Sequence, residues 1–204
     1  MKKLLLIISF ISVGLLGYAQ TADSLKGIRL FYKIENIRRL TPGIEKVQQS
    51  IVLSEHVMQT SNDLDNLLDE GLDIALQAER TDLMAALYVQ KSRRALLANQ
   101  PSKAKAFSTK AEHYFGGLSI DSANVLRKSL ATVYFNSKHP EKGVEYYTQI
   151  DLSFKGSQHK VKKRIDNLKN LAKAYMALHK TKESRSALEE SVRLAKISGN
   201  KKII

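Results

Sequence analysis

Five histidines, His56, His113, His139, His159 and His179, are the side chains here best suited to holding a metal or moving a proton near neutral pH. No two stand three or four residues apart, so no helix can offer a His-x-x-x-His pair to zinc. Cysteine is absent, which removes thiolate nucleophiles and thiolate ligands together. Serines are plentiful, but none sits in a Gly-x-Ser-x-Gly elbow. Gly116-Gly117 is followed by no Gly-Lys-Ser or Gly-Lys-Thr, and so reads as a helix stop rather than a phosphate loop. Carboxylates cluster at Asp63, Asp65, Asp69 and Glu70, and again at Glu189 and Glu190. Acid–base work needs two such groups facing each other about 5–9 Å apart. These fall on the solvent side of amphipathic helices, partly opposite Lys and Arg, and are expected to be solvated. The expectation is a chain without catalytic residues, cofactor or metal.

Charge is the more informative chemistry. The chain of 204 residues has 33 Lys and Arg against 20 Asp and Glu, a formal charge of +13. Lys155, His159, Lys160, Lys162, Lys163, Arg164 and Lys169 crowd into one turn and the start of a helix. A nucleic-acid surface would interleave such cations with aromatics, and only Phe154 is near. No nucleic-acid partner is expected. An acidic protein, an anionic glycan or contact with the outer-membrane surface suits the charge better, and the bland reading is a lysine-rich solvated surface.

The first twenty residues set the compartment. Lys2 and Lys3 precede an apolar run, Leu4 to Leu16, broken only by Ser9, Ser12 and Gly14, and Gly17-Tyr18-Ala19 places small residues at a cleavage site. As a helix that run spans about 20 Å, short of a hydrocarbon core of about 30 Å. Residues 1–20 are therefore expected to be a signal peptide, leaving a periplasmic or secreted protein with a charge of +11 once Lys2 and Lys3 are removed. With no cysteine after the apolar run, no lipid-anchored product is expected. Nothing later is long and apolar enough to span a membrane.

These residues must be positioned by helices, since apolar residues recur at spacings of three and four along most of the chain. Residues 21–42 yield no defined element. Residues 43–79 read as a degenerate helical pair: Ile44 onward carries Val47 and Ile51, and Ser61 to Gln77 carries Leu64, Leu67, Leu68, Leu72 and Ala75 behind a Ser61 or Asn62 cap. Residues 80–198 read as three further pairs: Asp82–Leu97 with Pro101–Phe115, Asp121–Asn136 with Pro140–Leu152, and Val161–Leu178 with Lys182–Lys196. Residues 199–204 are left as a tail. Ala95, Pro101, Ala104 and Ala111 repeat as Tyr134, Pro140, Gly143 and Ile150 at an offset of 39. Tyr175, Ser184 and Ser191 continue the series at 41. A period near 40 with two helices per unit is the signature of a stacked array.

Leu171-Ala172-x2-Tyr175 with Ser184, Leu188 and Ser191 resembles the tetratricopeptide repeat family, as does Leu130-Ala131-x2-Tyr134 with Gly143, Tyr147 and Ile150. In the first unit Ser92 and Ala95 depart from the usual pattern, while Ala104 and Ala111 fit it. The longer period is similar to the variant of about 40 residues in exported proteins of Bacteroidetes-type bacteria. The resemblance implies an all-α, right-handed solenoid of antiparallel helix pairs that binds a protein or peptide. Its alternative is the sensor segment of a truncated or split two-component or transcriptional regulator. It also implies that the first helix of each pair lines an inner face. Carried onto this chain, that face comprises Val89, Arg93 and Leu97, then Lys128, Thr132 and Asn136, then Lys169, Lys173 and Met176. Arg93, Lys128, Asn136, Lys169, Lys173 and Met176 are the expected partner contacts. Four of the nine are basic and none is acidic, so an acidic segment with apolar anchors is the expected occupant.

Overall fold

The computed structural model describes residues 27–199, so the signal peptide expected at 1–20 and most of the tail lie outside the described residues. The described residues form nine α-helices and no strand: α1 (27–38), α2 (Ile44–His56), α3 (Asn62–Gln77), α4 (Thr81–Leu97), α5 (Pro101–Phe115), α6 (Ile120–Asn136), α7 (Pro140–Phe154), α8 (Val161–Ala177) and α9 (Thr181–Ile197). A short 3₁₀ turn, Gln158–Lys160, leads into α8. None of these helices is long and apolar enough to cross a membrane.

Helix starts follow their capping chemistry. The Ser61 side chain accepts from Leu64 N at 3.3 Å at the head of α3. Ser119 accepts from Ser122 N at 3.1 Å at the head of α6. Pro101 and Pro140 occupy first-turn positions, where a missing N–H loses no bond. Four helices end alike: Glu79, Asn99, Lys138 and His179 adopt left-handed backbone with φ between 53° and 64°. The next amide in each case reaches back to the last turn, Arg80 N to Ala75 O, Gln100 N to Ala95 O, His139 N to Tyr134 O and Lys180 N to Tyr175 O, all within 3.0 Å. Asn99, Lys138 and His179 are separated by 39 and 41 residues, so the repeat read from side chains recurs in the backbone.

Within each pair the helices run antiparallel and cross closely at equivalent points. Ser92 Oγ donates to Ala104 O at 3.0 Å and Ser184 Oγ donates to Ala172 O at 3.0 Å, each bond spanning twelve residues. At the third such crossing the residue is Gly143, where a Cβ would lie 3.2 Å from Ala131 O. Small residues stand at these points because a backbone carbonyl of the partner helix fills the space a larger side chain would need.

The core is built in sections along the chain. Ile34 and Ile37 of α1 pack with Leu53 of α2 and Leu64 and Leu67 of α3. Val47, Leu68, Ala75, Leu83, Met84 and Leu87 join α2, α3 and α4. Tyr134, Tyr146, Tyr147, Ile150, Ile165 and Leu168 belong to a larger section running from α4 to α9. Helix α1 therefore supplies an element within the segment 21–42, for which the sequence had yielded none. Helix α4 buries residues around most of its circumference, because α2, α3, α5 and α6 all pack on it.

The acidic stretch of α3 is structural. Asp63 pairs with Arg38 of α1 at 2.9 Å, Glu70 with Lys46 of α2 at 3.0 Å, and Asp65 and Asp69 with Arg94 and Lys91 of α4. Arg94 and Lys46 are buried, 4% and 8% exposed, and a charge taken out of water needs such a partner. The four carboxylates stay 45–58% exposed, in keeping with a solvated face opposite Lys and Arg, and they also tie α3 to three neighbouring helices.

Candidate functional site

The nine residues of the expected inner face do not share one environment. On α4, Val89 is 1% exposed and belongs to the core, which corrects its placement beside the charges on an open surface. Leu97 is half-buried. Arg93 is also half-buried, and its guanidinium is engaged within the chain: Nη1 donates to Ser54 O at 2.8 Å and to Glu55 O, and Nη2 lies against Met58 Sδ. The neighbouring Arg94 donates to Gln59 O at 3.4 Å, to Ser61 O at 3.1 Å and to Asp65. Helix α2 ends at an extended Val57 with no glycine cap, so its last carbonyls need outside donors, and Arg93 supplies them. Burial lowers the Arg93 pKa from its ordinary value, opposed by the Glu55 carboxylate, and the group stays charged. Arg93 is thus a cap on α2 and not a free hand for a partner.

On α6 and α8 the expected residues are accessible. Lys128, Thr132 and Asn136 are exposed, Lys169 is half-buried, Lys173 is exposed, and Met176 is 54% exposed. Among the described residues none of the three lysines forms an ion pair. The Thr132 hydroxyl donates to Lys128 O at 2.9 Å and lies 3.2 Å from the Tyr147 hydroxyl. Helix α6 packs on α4 and on α7, and α8 packs on α7, so α7 is the element through which the two lysine-bearing helices are held. Leu130 and Leu171, two residues from these lysines, are buried and fix the helix rotation that turns Lys128 and Lys173 outward.

The basic stretch at 155–169 divides in two. Lys160 and Lys163 pair with Asp121 at 2.6 and 3.5 Å, joining the start of α8 to the start of α6. Lys160 above all holds the Asp121 carboxyl below its ordinary pKa. Arg164 pairs with Asp151 of α7 at 2.8 Å and with Glu190 of α9 at 3.2 Å. Lys155, His159, Lys162 and Lys169 are left without a carboxylate partner among the described residues. Spacing could not have divided them, because the acids that neutralise the others are 13 to 42 residues away.

Other candidate chemistry is spent internally. An open cleft of about 470 Å³ near the α6–α7 turn is lined by Lys105, Tyr134, His139, Glu141, Lys142 and Glu145. There Lys142 bonds both oxygens of Glu145 at 2.7 Å, and His139 Nδ1 lies 3.5 Å from Glu141. The Tyr146 phenol, whose ring centroid lies 5.1 Å from Lys142 Nζ, is pushed well above its ordinary pKa, by burial first and by Glu112 second, which is the wrong direction for proton transfer near neutrality. Among the described residues no group of three or more His, Asp or Glu is placed to hold a metal.

The chain matches no protein-family model, no curated protein and no solved structure.

Proposed function

We propose that this chain is an exported scaffold of tetratricopeptide-like helix pairs, stacked as a right-handed solenoid, that holds an acidic segment of another protein and performs no catalysis. The single observation that carries the reading is the set of uncommitted cations. Lys128, Lys169 and Lys173 form no ion pair among the described residues, while Lys160, Lys163 and Arg164 beside them are matched to carboxylates. Asn136 and Met176 stand exposed on the same two helices and supply a polar and an apolar contact. The recurrence of turns and crossings at 39 and 41 residues supports the repeat reading. Exposed lysines gain little from isolated water-screened pairs but accelerate encounter with an acidic partner, and a flanking apolar contact sets its lifetime.

The test is crosslinking capture from the intact envelope with the parent chain and with the double variant Lys169→Glu/Lys173→Glu. Both positions are at least partly solvent-facing, so helicity and melting should stay nearly unchanged. Capture should fall, and the difference should be larger at about 20 mM salt than at about 300 mM, where screening is stronger. Equal capture by parent and variant at both salt concentrations would remove Lys169 and Lys173 from the binding surface.

A further inference from the structure

The α4–α6 and α6–α8 steps of the array are joined differently. Helix α6 packs directly on α4, whereas α8 rests on α7 and α9 and, among the described residues, makes no comparable contact with α6. The connections differ to match: residues 116–119 join α5 to α6, while residues 155–160, with Gly156 at φ 83°, join α7 to α8. The longer connection accounts for the change of offset, since α5 and α7 end 39 residues apart and α6 and α8 begin 41 apart. In place of packing, α8 reaches α6 through charge. Lys160 in the 3₁₀ turn and Lys163 in the first turn of α8 converge on Asp121 in the first turn of α6, at 2.6 and 3.5 Å.

The preceding step carries no equivalent bridge among the described residues. Counting back 41 residues, the positions of Lys160 and Lys163 hold Ser119 and Ser122, whose hydroxyls lie 2.8 Å apart in the cap of α6. Counting back 39, the position of Asp121 holds Asp82, which pairs with Arg80 on its own helix start at 2.7 Å. The bridge thus stands at the step where the two helices do not pack. Lys128 and Lys169 occupy equivalent positions on these helices, about 10 Å along α6 from Asp121 and about 9 Å along α8 from Lys163. An angle fixed at the helix starts therefore fixes the spacing of the lysines beyond them.

Resting on the reading of Lys128, Lys169 and Lys173 as a partner surface, we infer that Asp121 is a positioning residue for it: by bridging Lys160 and Lys163, its carboxylate holds α8 at the distance from α6 that an acidic segment spans. A segment touching both helices binds more tightly when their spacing is set beforehand. Charge alone forecasts the opposite sign. Asp121→Asn removes a negative charge and frees two lysines, so a surface acting only by attraction should bind an acidic segment more strongly.

Spin labels on Val125→Cys and Asp166→Cys report the spacing, because both positions are exposed, they are equivalent on α6 and α8, and the chain has no other cysteine. The full chain should give one narrow distance distribution. Asp121→Asn should broaden it, Lys160→Gln/Lys163→Gln should do the same without altering α6, and Asp121→Glu should keep it narrow. The binding probe is a fluorescent glutamate-rich peptide with leucine anchors. Without the labels, Asp121→Asn should weaken its binding about threefold or more with melting nearly unchanged, and Asp121→Glu should restore it. Distances unchanged in both bridge variants, or binding left equal or made stronger by Asp121→Asn, would overturn the inference. The reading beneath it fails separately: if Lys169→Glu/Lys173→Glu binds the peptide as the parent does, the lysine surface falls and the inference with it, whatever the distances show.

Discussion

Leu130 and Leu171 stand at equivalent places in α6 and α8, 0% and 6% exposed, and each fixes the face its helix turns to solvent. Replacing either by Ala should cost about 2–5 kcal/mol through lost transfer energy and the cavity left behind. Urea unfolding measures it, and a cost below about 1 kcal/mol would place these side chains outside the core. Arg93 is predicted to matter through the end of α2. Arg93→Ala should cost about 1–3 kcal/mol, because the Ser54 and Glu55 carbonyls lose a charged donor. Binding of an acidic partner should be unaffected once the fraction of unfolded chain is allowed for. Lys138 and His179 hold left-handed backbone at φ 64° and 57°. Glycine has no Cβ to strain there, so Lys138→Gly should raise stability by about 0.5–1 kcal/mol. A melting temperature lowered by that change would mean the Lys138 side chain contributes more than its backbone loses.

Two of the carboxylates that join helices each serve more than one cation. Asp121 at the start of α6 serves Lys160 and Lys163, and Glu190 of α9 serves Arg193 at 2.6 Å and Arg164 of α8 at 3.2 Å. The Arg193 hydrogen bond first, and the charges of Arg193 and Arg164 after it, hold the Glu190 carboxyl below its ordinary value. A carboxyl whose pKa is depressed on folding stabilises the folded state above its unfolded pKa of about 4.3, and loses that contribution as pH falls through the folded value. Glu190→Gln should therefore reduce stability slightly at neutral pH and leave it unchanged at about pH 2, flattening the acid limb of the curve. The effect is modest because the group is only partly withdrawn from water. Melting temperatures of parent and variant between about pH 2 and 7 measure it, and parallel curves would show that Glu190 does not couple α8 to α9.

Across the whole molecule the charge is uneven in a way the total of +13 conceals. The first half is nearly neutral, and four of its five acids on α3 are matched by Arg38, Lys46, Lys91 and Arg94. The second half holds the excess, with Lys128, Lys169 and Lys173 unmatched on α6 and α8 among the described residues. Salt should therefore affect encounter with an acidic partner far more than it affects folding, since the ion pairs between helices are short-ranged and partly buried. Association rates measured between about 20 and 300 mM salt should fall several-fold while the urea midpoint moves little. A midpoint that tracks salt as steeply as the rate would mean that the excess charge strains the fold itself.

The sequence by itself determined that the chain is helical and where most helices begin and end, because apolar spacing, Ser61, Pro101 and Pro140 act within a few residues of one another. It also determined the repeat, since offsets of 39 and 41 fix which small residues meet across each pair. Helix α1 was harder to see: Leu30, Ile34 and Ile37 are its only inward positions, and they find their partners on α2 and α3. Only the tertiary structure decided what each charge and each surface does. Arg93 caps α2 because Ser54 and Glu55 come to rest against α4, and Val89 is core because four helices surround that one. The basic stretch divides into spent and unspent cations according to acids brought from α6, α7 and α9. Leu188 is exposed where Tyr147 is buried because a helix lies over one and, among the described residues, none lies over the other. Local periodicity sets which way a side chain points from its own helix, and burial and pairing depend on which other helix arrives there.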